Sequence, residues 1–198
     1  MFKSDFLESL SKVHWSVPLI VFVPVIGFFT WRSFAVFHLS ILAFFGCLLG
    51  GLATWTITEY VLHRFIFHWV PNSSWGKRLH FIFHGVHHDY PNDALRLVMP
   101  PSVSIPLALL FYYIFYAILP VLYVPAFFPG FIIGYLFYDL THYAIHHAQF
   151  KSGFWKTMKQ HHMTHHYMDP NHGYGVSSKI WDKVFGSDFV KKRFDSLK

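Results

Sequence analysis

Charged side chains are scarce in this chain. Asp, Glu, Lys and Arg make up 13% of its 198 residues, against roughly 25% in a typical water-soluble domain. Cysteine is nearly absent. Cys47 has no possible partner in the sequence, so no intrachain disulfide forms and a disulfide-stapled fold is excluded. Composition also rules out disordered and collagenous chains, because 54% of the residues are hydrophobic and 21% are aromatic. Acidic residues are the scarcer charge, 10 against 16 Lys and Arg, which leaves a formal charge of +6. A basic balance suits nucleic acid or a membrane surface, and a chain this apolar places its cations at a membrane. The length supports a single domain over residues 1–198.

Long apolar runs are what the chain has instead. A bilayer core about 30 Å thick takes roughly 20 helical residues to cross. Four stretches qualify or nearly so: residues 17–31, with Pro18 and Pro24 inside; 35–61, with Gly46, Gly50 and Gly51 as close-packing points; 102–119; and 121–138. A signal peptide is the competing reading of the first, but Asp5 and Glu8 precede it and no small-residue cleavage site follows. The last two stretches meet at Pro120 with almost no loop, so a re-entrant hairpin is the alternative to two crossings. Either way both termini, residues 63–101 and residues 139–198 share one face. Every Lys and Arg except Arg32 falls on that face, which the positive-inside rule makes cytoplasmic. The expectation is an all-α integral membrane protein of about four spans, with a cytoplasmic helical cap built from 63–101 and 139–198.

That cap carries the chemistry. Sixteen histidines are present, and apart from His14 and His38 they lie in the cap segments or at the membrane edge. They come in boxes: HRFIFH (His63, His68), HFIFHGVHH (His80, His84, His87, His88), HYAIHH (His142, His146, His147) and HHMTHH (His161, His162, His165, His166). Positions i, i+3 and i+4 share a helical face, so His84, His87 and His88 converge, as do His162, His165 and His166. His142 and His146 form an i, i+4 pair. His63 and His68, five apart, diverge on an ideal helix, so the end of the second span is expected to unwind locally. Imidazoles clustered against an apolar slab are costly without partners. A transition metal is the partner neutral imidazole most often takes, and ten such rings suffice for two metal ions.

Other histidines carry other expectations. His147 and His161 point away from their neighbours' face and take outer or surface roles. His80 shares the face of His84, so geometry alone leaves ligation open, and an outer role behind the ligands is expected. His172, in the DPNHGYG turn, either covers the site or is solvated. Carboxylates are expected to orient ligand rings by accepting the second imidazole N–H: Asp139 three residues before His142, and Glu59 four before His63, where a plain helix-end charge is the competing reading. Trp181 and Phe185, at i and i+4, form an amphipathic membrane-docking face.

At these motifs the sequence resembles the fatty acid hydroxylase superfamily, most closely the fatty acid/sphingolipid 2-hydroxylases. The strings that carry the resemblance are EYVLHRFIFH (59–68), HFIFHGVHHDYPNDALRLVMPP (80–101), YDLTHYAIHH (138–147) and KQHHMTHHYMDPNHGYGVSSKIWDKVFG (159–186). A bare HxxHH is shared with desaturases and sterol oxidases. The run after the second box and the YGVSSKIWDKVFG tail are specific to the 2-hydroxylase branch.

The resemblance implies a metal-ligand role for His63, His68, His84, His87, His88, His142, His146, His162, His165 and His166. It implies two metal ions, iron for activity with zinc possible in an isolated protein, and an O2-dependent monooxygenase that hydroxylates the carbon alpha to an acyl carbonyl. The acyl lipid comes from the bilayer. No haem-binding HPGG-type segment occurs, so no haem is expected in the chain and the electrons come from a separate donor such as cytochrome b5, or ferredoxin with its reductase. Asp139 and Tyr138 are candidate catalytic supports, and Arg96 and Tyr174 are candidate substrate contacts. The expected location is the bacterial inner membrane, or the endoplasmic reticulum of a eukaryote, with no nucleic-acid partner. Competing readings are a related di-iron enzyme (desaturase, sphingoid C4-hydroxylase or sterol oxidase) and a metal transporter. A transporter would place its ligands near the bilayer midplane, whereas these boxes follow the span ends.

Overall fold

The computed structural model describes residues 4–189. Among them no strand occurs. The helices are α1 (Asp5–Leu10), α2 (Val17–Ala35), α3 (Ile41–Val61), α4 (Ser74–His80), α5 (Val86–Asp89), α6 (Pro101–Ile118), α7 (Val124–His147), α8 (Gly153–Tyr167) and α9 (Ile180–Val184), with π-helical turns at Leu62–Phe67 and Phe81–Gly85. Four helical stretches are long and apolar enough to cross a membrane: Val17–Ala35, Ile41–Phe67, Pro101–Ile118 and Val124–His147. The chain forms two compact units. One comprises the residues up to Thr58 together with Asp93–Tyr143; the other comprises Glu59–Asn92 together with the residues from Ala144 onward.

In the first unit α7 is the buried helix: 78% of its most apolar window is covered, against 11–17% for the other three spans. Close backbone approach makes this possible. A Cβ on Gly130 would stand 1.9 Å from the Leu48 carbonyl oxygen and one on Gly51 2.0 Å from that of Phe127, so α3 and α7 touch backbone to backbone. Between lipid-facing helices, association rests on such van der Waals contact, since lipid is as apolar as the side chains. Aromatic rings fill the remaining space. Phe131 packs against Trp55, Phe111 and Phe115 with centroids 4.8–5.1 Å apart, and Phe22 of α2 meets Tyr135 edge-on at 5.3 Å. Outward side chains are apolar too, Leu42 being 85% exposed, as a lipid-facing surface requires.

The spans differ from their expected limits in three places. The first runs on to Ala35, past Pro24, and residues 36–40 form a turn with His38 at φ 50°. The second therefore starts at Ile41, where the Ser40 hydroxyl accepts the Ala43 N–H at 3.2 Å and caps the helix. The fourth starts at Val124 and runs unbroken to His147, so the YDLTHYAIHH box is part of that helix. Pro125 lies in its first turn, where a missing N–H costs nothing. Residues 190–198 of the expected cap lie outside the described residues.

Before α6, Val13 donates its N–H to the Leu95 carbonyl at 2.7 Å. Arg96 pairs with Asp93 at 2.9 Å and with Glu8, tying α1 to the segment after Asp93.

Candidate metal centre

The second unit gathers histidines from five elements: two π-helical turns, α5, the end of α7 and α8. The end of α3 passes into the π-turn Leu62–Phe67, closed by an i→i+5 bond from the His68 N–H to the His63 carbonyl at 3.2 Å. This corrects the expectation of local unwinding. The helix is widened by one residue per turn rather than broken, and that brings residues five apart onto one side. The second box behaves similarly: α4, capped by the Ser73 hydroxyl on the Gly76 N–H at 3.1 Å, widens into a π-turn before α5.

The first cluster consists of His63, His68, His84, His88 and His165, each offering a nitrogen within 4.8 Å of all the others. Neighbouring Nε2 atoms stand 3.0–3.2 Å apart. His63 Nδ1 faces the Tyr174 carbonyl at 2.5 Å, and His165 Nδ1 faces the His172 carbonyl at 2.8 Å. Each of these rings therefore keeps its one proton on Nδ1 and turns a bare Nε2 lone pair inward. Lone pairs at this spacing repel unless a cation lies among them. Nitrogens about 2.1 Å from a common ion stand about 3.0 Å apart at right angles and about 3.4 Å apart in a tetrahedron. The observed spacing lies between these two values and suits a shared transition-metal ion, and five donors are one more than a closed tetrahedral site takes.

The second cluster in this unit joins His87, His146, His162 and His166, which obey the same 4.8 Å limit. His162 Nε2 lies 3.0 Å from Nε2 of both His146 and His166. His142 stands one turn before His146 on α7, and its ring stacks on Tyr138 at 5.8 Å. The two clusters adjoin, since the rings of His88 and His166 stack 4.2 Å apart. Each HxxHH box is thus divided rather than convergent on one point. His84 and His88 serve one cluster and His87 the other; His165 serves the first, and His162 and His166 the second. On a helix i and i+4 lie about 40° apart while i+3 lies about 60° to the other side, and two adjoining clusters exploit that angle.

Burial sets the protonation of these rings. His68 is pushed down from 6.5 to about 2 by burial and by repulsion from His165, His88 and His80. His88 is pushed down to about 4 by burial, then by His165 and His80. His84 and His165 are lowered as well, burial being the leading cause in both. The rings are neutral at pH 7, the form that ligates metal. In the unfolded chain they take up protons below about 6.5, whereas the folded chain resists until about 4 or lower, so stability falls with pH across that interval. We expect the thermal midpoint of metal-stripped protein to drop steadily between pH 7 and pH 5. A flat profile would mean that these rings are not buried neutral.

Acidic residues do other work. Glu59 accepts the N–H groups of Val176 and Ser177 at 3.0 and 2.8 Å. Asp139 accepts the Met99 N–H at 3.1 Å and the Tyr135 hydroxyl at 3.0 Å. Arg96 is occupied by Glu8, Asp93 and Ser11. Tyr174 is buried, its ring 5.3–5.8 Å from those of His63, His68 and His165, and burial raises its hydroxyl pKa. His161 is buried on Asp182 at 3.2 Å, and His147 is exposed. His172 carries the carbonyl that holds His165, while its own ring bonds Asp169 at 3.0 Å. Phe185 stacks on Tyr60 at 5.3 Å. Sequence reasoning assigns no role to Asp182 or to the carbonyls of His172 and Tyr174. A carboxylate between Trp181 and Val184 is the one available signal, and a carbonyl leaves none.

Four apolar helices of spanning length and two adjoining nests of imidazole nitrogens able to hold metal ions define a class: a multi-pass membrane protein of the histidine-box hydroxylase type. The fatty acid hydroxylase family model matches residues 47–187, and the chain belongs to that family. It is 41% identical to the dihydroceramide fatty acyl 2-hydroxylase FAH1 of Arabidopsis thaliana, over 94% of this chain and 78% of that protein. It is 37% identical to the fatty acid 2-hydroxylase of Rattus norvegicus, over 93% of this chain but 55% of the rat protein. Among solved structures it matches full-length scs7p, in which only the hydroxylase domain is visible, with a TM-score of 0.87 and 37% identity, covering 94% of this chain and 70% of that one.

Proposed function

We propose that the chain is a fatty acyl 2-hydroxylase, inserting one oxygen atom of O2 at the carbon alpha to the carbonyl of a free or ceramide-bound acyl chain. The observation that carries the reading is the pair of interleaved imidazole clusters, supported by the 2-hydroxylase activities named for its relatives. The balance requires two electrons and two protons from a separate donor, with water as the second product. His63, His68, His84, His88 and His165 hold one metal ion; His87, His142, His146, His162 and His166 hold the other, His142 by its place one turn before His146. Iron at these centres supplies the dioxygen chemistry needed to cleave an unactivated C–H bond, which redox-inert zinc cannot.

The chain's own residues keep the nitrogens bare and the centres dry. The carbonyls of Tyr174 and His172 hold the Nδ1 protons of His63 and His165, and burial withholds water from the oxidant. The four apolar helices give the acyl chain access from the bilayer, and the Lys and Arg distribution supports a cytoplasmic face for the centres.

Lipid mass spectrometry of a host expressing the chain with a competent donor tests this. We expect hydroxylated acyl chains whose fragmentation places oxygen on the alpha carbon. A new double bond, a hydroxylated sphingoid base or an oxidised sterol in their place would leave the oxidant standing and remove the 2-hydroxylase reading.

A further inference from the structure

The segment from His172 to Ser177 lays the Tyr174 ring against the first cluster and hydrogen-bonds it through its backbone. Two of its carbonyls fix ligand rings, that of Tyr174 on His63 and that of His172 on His165. A carbonyl orients a ring only as well as it is itself held, and the opposite edge of this segment is held by carboxylates. Asp182 is fully buried. Its Oδ1 accepts the Tyr174 N–H at 2.9 Å and the Ser187 hydroxyl at 2.8 Å; its Oδ2 accepts the Gly175 N–H at 2.8 Å and the His161 ring N–H at 3.2 Å. The Tyr174 residue is thus gripped on both sides, its N–H by Asp182 and its carbonyl by His63. Gly173 N–H on the Ser187 carbonyl at 2.8 Å, and Ser187 Oγ on the Tyr60 hydroxyl at 2.7 Å, close the loop around it. Space is as constrained as hydrogen bonding. Gly173 has φ +74°, and a Cβ on Gly175 would stand 2.0 Å from the Ser178 carbonyl oxygen.

We infer that Asp182 is the positioning residue of the first centre: it sets the affinity of the five-histidine cluster for its metal while leaving the neighbouring cluster untouched. It makes no hydrogen bond to a ligand of either centre; it acts on the Tyr174 carbonyl through the Tyr174 and Gly175 N–H groups, and on the His172 carbonyl only by way of Ser187, which holds the Gly173 N–H. The inference rests on reading the clusters as metal centres. Outer partners of metal-bound imidazoles are worth about 10- to 100-fold in metal affinity, and the geometry directs that loss to one ion of the two. Glu59, on the Val176 and Ser177 N–H groups, holds the far end of the same segment but no carbonyl that orients a ligand, so its effect is smaller.

The test uses the full chain in detergent, stripped with chelator and titrated with Zn2+ alone, read as stoichiometry and affinity. The wild type takes up two equivalents. Asp182→Asn keeps the shape but turns an NH2 toward backbone N–H groups. It should leave one equivalent at wild-type affinity and weaken the other about 10- to 100-fold. Ser187→Ala, which removes one of the four bonds to Asp182, should weaken the same equivalent by less. In a chain already lacking His68, Asp182→Asn should change nothing at the remaining site, a non-additivity that a general loss of structure would not produce. Two unchanged equivalents in Asp182→Asn, or equal weakening of both, overturns the role of Asp182. A wild type that binds no Zn2+ overturns the reading of the clusters as metal centres, and the inference with it.

Discussion

His88→Ala and His87→Ala should each abolish hydroxylated product, yet each should lose a different metal ion. The two residues are neighbours in sequence, but His88 Nε2 lies 3.0 Å from His84 Nε2 in the first cluster. The His87 ring lies 4.8 Å and 4.6 Å from those of His146 and His166 in the second. Removing either ring leaves inward-facing lone pairs with one donor fewer in a buried site. An outer-partner change costs about 10- to 100-fold, so loss of a ligand itself should lower turnover by more than about 100-fold. Groups acting as one unit are non-additive, and the double variant should be no worse than either single one. Metal analysis beside lipid mass spectrometry checks this. Retention of both ions and of about a tenth of the activity in either variant would remove the assignment.

Gly130→Ala should markedly destabilise the bundle, whereas the chemically identical change at Gly46 should be tolerated. At Gly130 the added methyl would stand 1.9 Å from the Leu48 carbonyl oxygen, and backbone cannot rotate aside as a side chain can. At Gly46 nothing lies within 4 Å. Separating α3 from α7 forfeits the Phe131 stack and the backbone contact together, and lipid offers no hydrophobic penalty to drive them back. Overpacking costs about 3 kcal/mol at its upper range, which in a chain of this size lowers the thermal midpoint by about 6–12 °C. Gly46→Ala should instead gain up to about 1 kcal/mol from helix propensity. Thermal unfolding in detergent separates the two, and equal midpoints would mean that the helices do not meet there.

Patterns that depend on near neighbours in sequence are legible without a structure. The apolar runs mark four spans, and the i, i+3, i+4 histidines mark the metal-binding elements. Local patterning also reaches its limit there. HxxHH says that three rings lie on one side of a helix; it does not say that His87 and His88 fall in different clusters, because that division is made by helices arriving from elsewhere. The five-residue gap from His63 to His68 signals a departure from α-helix but not its sense, and a π-turn and an unwound end leave the same sequence trace. Least legible are partners distant in sequence. Glu59 looks like a helix-end charge until it meets the N–H groups of Val176 and Ser177, and Asp182 is a single letter in an apolar turn until four donors converge on it.

The clasp around Tyr174 also sets a clock on synthesis. His63 and the carbonyl that holds it are 111 residues apart, a stretch that takes roughly 5–20 s to translate at about 5–20 residues per second. All ten proposed ligands lie at or before His166, so a chain stopped after Asn171 would contain every one of them and still lack the carbonyls that aim two. Truncation after Asn171 would therefore yield a protein with its histidine boxes intact but without the two carbonyls that face His63 and His165. An early termination and a ligand substitution would then converge on the same under-metallated product.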